Sequence, residues 1–407
     1  MAKPLKITES VYWVGVNDPD ARLFEGLWDI DEGVSYNSYL VLGSEKVVLI
    51  DSVGEKFVDE HLSKIGQIVD PSKIDYIVIN HMEPDHTGAV PKILDVMREA
   101  KVIFTPGALA MIKALYHIEP KSMIVRGDDT TIDLGGKTLR FIQTPFLHWP
   151  ETMSSYLVEE GVLFSCDLCG SFKQLPEGAI LDTDIKDIKQ YIYGSALKGY
   201  FAGVFSKYRD YVVKAVEKFD SLGLRIRVLA PSHGPVYTTY VKEVMNLWLS
   251  WSKPNYTKRV VIAFGSMYGS TSKFVDALAD GVREAGGEAT ILNLVEATPI
   301  KMLEEVIDAP ALIIGTPTYE YDIFPPVKYF INLLELKKLT DRFVGVFGTF
   351  AWAGGGVKNL VERLDTLGFK RVGNPVEVKG SPYPEDLERA KALARSVAEA
   401  AFKEHRL

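Results

Sequence analysis

The densest cluster of chemistry-bearing side chains is His81-Met82-Glu83-Pro84-Asp85-His86, four potential metal ligands within six residues. The segment directly follows the apolar run Tyr76 to Ile79. Pro84 disfavours helix at Glu83, so a loop leaving a buried strand is expected, able to turn its side chains in different directions as a helix could not. Three further donors share this context: His148 after Leu139 to Gln143, Asp167 after Val162 to Ser165, and His233 after Arg227 to Ala230. Seven donors at strand ends can supply two metals with three terminal ligands each and one bridging carboxylate. A single histidine of this kind reads more simply as a satisfied core residue; the cluster as a whole argues for a binuclear site. His61, His117 and His405 lack such company and read as structural.

A second constellation lies in the last third of the chain. The run Arg259 to Phe264 ends in Gly265-Ser266-Met267-Tyr268-Gly269-Ser270-Thr271, ahead of a helical pattern from Lys273. It has neither the lysine of a nucleoside triphosphate loop nor the glycine spacing of a dinucleotide fold. Hydroxyls and backbone N–H groups at a helix start suit one terminal phosphate, although Ser and Thr there also serve as plain caps. Two more loops add weight: Thr316-Pro317-Thr318-Tyr319-Glu320 and Thr349-Phe350-Ala351-Trp352-Ala353-Gly354-Gly355. Aromatic residues beside small ones fit a planar ring that stacks and approaches backbone closely; Tyr319 and Trp352 have interface aromatics as their alternative reading.

The elements that must position these groups divide in two, as 407 residues would suggest. From Arg259, candidate strands Arg259 to Phe264, Glu288 to Leu294, Ala311 to Thr316, Arg342 to Phe347 and Val376 to Lys379 alternate with helical stretches. Those stretches are Lys273 to Ala285, Val327 to Leu336, Val357 to Leu367 and Leu387 to Glu404. The alternation implies a doubly wound parallel sheet with ligands at the carboxyl ends of its strands. Residues 1–251 instead open with strands Val11 to Val16, Ser38 to Leu42 and Val47 to Asp51 before a helix at Lys56 to Ile65, a mixed sheet with covering helices. Ser252 to Lys258, with Pro254 and Asn255, reads as a linker ahead of a second domain over 259–407.

The formal net charge of -8 opposes binding to nucleic acid or an anionic membrane surface. Neither an apolar leader nor a membrane-length apolar run is present, and the protein is expected to be cytoplasmic. Cys166 and Cys169 are the only cysteines, too few for a four-thiolate site, and they read as small buried residues rather than a redox pair.

The His81 to His86 segment resembles the His-x-Glu-x-Asp-His signature of flavodiiron proteins, and Leu147-His148-Trp149-Pro150, Phe164-Ser165-Cys166-Asp167 and Ser232-His233-Gly234 match its surroundings. The three later loops likewise resemble the FMN site of flavodoxins and of that family. The resemblance spans essentially the whole chain. It implies a metallo-β-lactamase-like αββα domain followed by a flavodoxin-like domain. It also implies one iron on His81, Glu83 and His148, another on Asp85, His86 and His233, and Asp167 between them. The implied activity passes electrons from FMN to the di-iron centre, reducing dioxygen to water, nitric oxide to nitrous oxide, or both. The implied donor is rubredoxin, a separate reductase or a reduced deazaflavin coenzyme, and the implied assembly is built on a head-to-tail homodimer. The alternatives are a metal-dependent hydrolase of the same fold and an electron carrier without a catalytic metal site. Glu83 weighs against the hydrolase, whose zinc members carry His there; a carboxylate hardens the site toward iron or manganese.

Overall fold

The computed structural model describes residues 3–407. Internal contacts separate two compact units, Met1–Ser252 and Lys253–Leu407.

The first unit holds two principal sheets. One runs, in spatial order, Leu5–Lys6, Val11–Trp13, Tyr39–Leu42, Val47–Ile50, Tyr76–Val78, Lys101–Phe104, Ser122–Ile124. From Val47–Ile50 onward its neighbours are parallel. Short β-branched runs such as Val47-Val48-Leu49-Ile50 suit strands covered on both faces. Leu49, Ile77, Val102 and Phe104 pack in one core with Ile65, Val90, Ile93 and Ile112 from the helices Val58–Gly66, Val90–Val96 and Pro106–Tyr116.

The other sheet is Thr131–Asp133, Thr138–Gln143, Met153–Leu157, Val162–Cys166, Val228–Pro231. Thr138–Gln143 and Val162–Cys166 are both antiparallel to Met153–Leu157, and Val228–Pro231 is parallel to Val162–Cys166. Three of these strands therefore share a direction. His148, Asp167 and His233 all follow carboxyl ends at one edge of this sheet, and His81 to His86 follows a carboxyl end in the other.

The expected strand Val11 to Val16 is two: Val11–Trp13 belongs to the first sheet, whereas Val16–Asp18 pairs with Val34–Tyr36 in a separate ribbon. Gly15 makes the change of partner possible, because a Cβ there would lie 2.3 Å from the carbonyl oxygen of Tyr36.

The second unit is a parallel sheet in the order Glu288–Asn293, Arg259–Phe264, Ala311–Tyr319, Phe343–Phe350, the last pairing with both Lys370–Arg371 and Val376–Lys379. That is the 2-1-3-4-5 order of a flavodoxin-like sheet. Val260, Ile262 and Ile313 pack against Leu278, Val282, Leu393 and Val397 of the helices Val275–Glu284 and Pro384–His405. Their alternating neighbours Val261, Ala263, Leu312 and Ile314 are equally buried, so the opposite face is covered too, by Pro325–Leu336 and Gly356–Thr366.

Two strands outrun expectation. Ala311–Tyr319 extends past Thr316 because Thr318 and Tyr319 pair with Ile323 and Asp322, and Phe343–Phe350 extends past Phe347 because Thr349 and Phe350 pair with Val378 and Lys379. The helix Pro299–Glu304, capped by the Thr298 side chain, was not expected. Among the described residues no helix is long and apolar enough to cross a membrane.

Candidate metal centre and flavin cleft

The segment after Tyr76–Val78 is not wholly the loop expected. Glu83 is extended (φ -61°, ψ 141°), as a residue before proline should be, but Pro84 then opens a helical turn, Pro84–Thr87. Proline is penalised inside helices yet suits their first position, where its missing N–H costs nothing. Glu83 and Asp85 consequently point differently because the backbone changes state between them. The turn is braced behind: Asp51 accepts from the backbone N–H (2.7 Å) and side-chain amide (2.8 Å) of Asn80, and the Ser52 N–H donates to the carbonyl of His86 at 3.0 Å.

The seven donors converge around Asp167. Its Oδ1 lies 3.1 Å from His86 Nε2 and 3.2 Å from His233 Nε2. Its Oδ2 lies 3.5 Å from His81 Nε2 and 3.7 Å from His148 Nε2. Glu83 Oε2 completes the second group, 3.2 Å from His81 Nε2 and 3.0 Å from His148 Nε2. Asp85 completes the first, with Oδ1 3.4 Å from His86 Nε2 and Oδ2 3.4 Å from His233 Nε2. Two clusters of metal-competent geometry result: His81, Glu83, His148 and Asp167, and Asp85, His86 and His233, with Asp167 facing both.

The residues fit two cations. Both oxygens of Asp85, Oδ2 of Asp167 and Nε2 of His233 are buried without hydrogen-bond partners, although His233 Nε2 stands within ion-pair distance of Asp167 and Asp85. Buried polar atoms gathered in one cluster and left without hydrogen bonds call for a further partner, which a cation would supply. Electrostatics agrees. Burial would lower the His233 pKa, but Asp167 and Asp85 push it up to about 10. Burial would raise the carboxyls of Glu83 and Asp167, yet the facing histidines hold both well below the usual range. A field that favours positive charge on these imidazoles favours a metal cation between them.

Both cysteines are buried free thiols, and burial pushes each up. Cys166 is beside His86 and Asp167 and lies within the span of another cluster that could hold a metal. Its raised thiol pKa argues for a small buried residue rather than a thiolate ligand.

In the second unit the three loops meet in one cleft at the carboxyl ends of the sheet. Ser266, Met267, Tyr268, Ser270 and Thr271 line it, as do Pro317, Thr318, Thr349, Phe350, Ala351, Trp352 and Ala353. Tyr268 and Trp352 are 96% and 72% exposed, leaving two aromatic faces uncovered at the rim. Five expected residues do not line it. Thr316 is fully buried, its hydroxyl donating to the Pro317 carbonyl at 2.9 Å and accepting from the Phe324 N–H at 3.0 Å. Tyr319 is in the hairpin strand pair, Gly269 makes the turn at φ 87°, and Gly354 and Gly355 lead into the next helix. Glu320, the last residue of the second loop, lines it too; Tyr321 and Gly380 join the lining unexpectedly, and Tyr321 stands edge-on to Trp352 with ring centroids 4.9 Å apart.

Two family models match, one described as ODP family beta lactamase over residues 34–234 and one as flavodoxin over 262–393. A nitric oxide reductase of Moorella thermoacetica is 32% identical, covering 98% of this chain and 99% of its own length. A flavo-diiron protein of Clostridium acetobutylicum is 31% identical, with 95% and 96% covered. The chain belongs to the flavodiiron protein family. This flavodiiron chain is also 32% identical to a coenzyme F420H2 oxidase of Methanothermobacter marburgensis, with 97% of each covered. Its fold is that of the rubredoxin oxygen:oxidoreductase from Desulfovibrio gigas, at TM-score 0.93 and 29% identity over 99% of this chain and 100% of that one.

Three supporting groups of the flavodiiron site went unread in sequence. Glu151 accepts from His81 Nδ1 at 2.8 Å; an acid three residues past His148, after a proline, was its only signal. The carbonyl of Ser35 accepts from His233 Nδ1 at 2.8 Å, and a backbone acceptor leaves no trace in side-chain types. Glu25, whose Oε1 lies 4.0 Å from His148 Nε2, follows only the pair Leu23-Phe24, too short an apolar run to mark a strand end.

Proposed function

We propose that this flavodiiron protein uses one FMN and two iron ions per chain to reduce dioxygen, nitric oxide or both. His81, Glu83 and His148 hold one iron, Asp85, His86 and His233 the other, and Asp167 takes part in both. The observation that carries the reading is the opposed placement of the two Asp167 oxygens toward two separate histidine pairs. Ser266, Ser270 and Thr271 bind the flavin phosphate, and Trp352 and Tyr268 offer faces to its ring. When bound, FMN supplies electrons in pairs and the irons supply a site where dioxygen or nitric oxide is reduced.

The chain's own contribution is placement. Backbone support behind His81 and His86 fixes the donor positions before metal arrives, and burial of all four histidines keeps bulk water away from them. Three carboxylates among seven donors make the set harder than a histidine-rich zinc centre and shift it toward iron or manganese. The electron donor is a separate rubredoxin, a reductase or a reduced deazaflavin coenzyme, and the working unit is a head-to-tail homodimer.

Metal and flavin analysis of purified protein tests this directly. About two irons and one FMN per chain are expected from the donor set and the three loops, with consumption of dioxygen or nitric oxide once the flavin is reduced. Two zincs with no flavin, and turnover without any reductant, would replace the reading with a hydrolase.

A further inference from the structure

The two metal positions have unequal surroundings behind their histidines. Among the described residues, only His81 of the four histidines has a carboxylate hydrogen-bonded to its Nδ1. Glu151, its side chain 1% exposed, accepts on Oε1 from His81 Nδ1 at 2.8 Å and from the Met82 N–H at 2.9 Å. The Thr105 hydroxyl donates to the Glu151 carbonyl at 2.7 Å, and a Cβ on Gly107 would come within 3.0 Å of the Glu151 Cβ, so the residue is held at both backbone and side chain. The Thr152 hydroxyl, 3.4 Å from His81 Nδ1, already donates to the Trp149 carbonyl at 2.9 Å and presents a lone pair to the ring. Both neighbours of Nδ1 are acceptors, so a proton is fixed there and Nε2, which faces Glu83 and Asp167, is the nitrogen left to ligate a cation between them.

His233 is backed differently, by the neutral carbonyl of Ser35, and His86 Nδ1 is buried with no partner. Among the described residues the Asp85, His86, His233 position thus has no carboxylate hydrogen-bonded behind a histidine; Asp51, the buried acid that interacts with His86 through charge, has both oxygens hydrogen-bonded to Asn80.

We propose that Glu151 is a positioning residue that makes the two metal positions inequivalent. By locking the His81 tautomer and adding negative charge behind it, Glu151 makes the His81, Glu83, His148 position the tighter of the two. A carboxylate behind a ligating imidazole raises its basicity, and loss of such a partner costs about 10- to 100-fold in metal affinity. The proposal rests on the two-metal reading above.

The test is Glu151→Gln in the full chain, an isosteric change whose amide oxygen still accepts from His81 and Met82 but carries no charge. Metal-free wild type and variant are titrated anaerobically with Fe(II) against a colorimetric chelator. Wild type should bind in two resolved steps. The variant should lose about 10- to 100-fold in the tighter step and keep the weaker step, with FMN content and the thermal unfolding of the metal-free protein unchanged. Both steps unchanged, or both weakened equally, overturns the proposal while leaving two-metal binding intact. A wild type that takes up fewer than two Fe(II) ions overturns the two-metal reading itself. Should Glu151→Gln not fold, Glu151→Asp withdraws the carboxylate from His81 while keeping its charge near. The tighter step must then weaken relative to the other, and equal steps reject the assignment.

Discussion

Asp167 has two acceptor oxygens and uses them on opposite sides, whereas Glu83 and Asp85 each serve one side. Each histidine offers one nitrogen inward and has only the other for support, so the site depends on how its carboxylates are apportioned. Glu83→His replaces an oxygen donor with nitrogen beside His81 and His148. Iron occupancy should fall and zinc occupancy rise, reductase turnover should drop, and the flavin absorption spectrum should persist, because the cleft lies in the other unit. Metal analysis of protein grown with both metals checks this, and unchanged iron content with unchanged turnover removes Glu83 from the ligand set. At this scale the sequence was most legible. His81, Glu83, Asp85 and His86 stand within six residues, and His148, Asp167 and His233 each follow an apolar run. Glu151 and Ser35 were not legible, because support is given by whatever the fold brings behind a ring, and in the case of Ser35 by its backbone.

At the scale of elements, the helix Gly356–Thr366 depends on the turn that precedes it. Gly355 adopts φ 131°, a Cβ there would meet the Tyr321 carbonyl oxygen at 2.3 Å, and the Gly356 N–H donates to the Thr318 hydroxyl at 3.0 Å. Gly355→Ala should therefore destabilise the second unit by roughly 1–3 kcal/mol and weaken FMN retention, since Tyr321 and Thr318 both line the cleft. Thermal unfolding and FMN titration of the variant measure both effects; retention of wild-type values in both would show that the turn relaxes freely. The strands of the parallel sheet were legible because buried parallel strands are near-continuous apolar runs, as in Arg259–Phe264 and the first half of Ala311–Tyr319. The ribbon of Val16–Asp18 with Val34–Tyr36 and the pair Leu23–Phe24 with Trp28–Asp29 were not, because two or three residues carry no periodicity. The turn Pro84–Thr87 was missed for a different reason: the same proline that bars helix before it favours helix at its own position.

At the scale of the molecule, the proposed head-to-tail dimer has each flavin reducing the metal pair of the partner subunit. Mixed dimers test it: one chain carries His81→Ala and His148→Ala, the other Ser270→Asp, whose carboxylate repels the flavin phosphate. With cofactor contents confirmed, transfer between chains leaves each mixed dimer one competent flavin-to-metal pair and about half the wild-type activity. Transfer within a chain leaves none, and an inactive mixed dimer rejects the proposal. Finally, the proposed metal donors are spread from His81 to His233, in strand-end segments of two sheets. A nascent chain emerging from the ribosome displays His81 to His86 long before His233 exists, and at that stage holds only a fragment of either cluster. On the proposed two-metal reading, a complete cluster exists only once the long-range sheets have assembled, so metal held by the first donor segment alone cannot nucleate the fold.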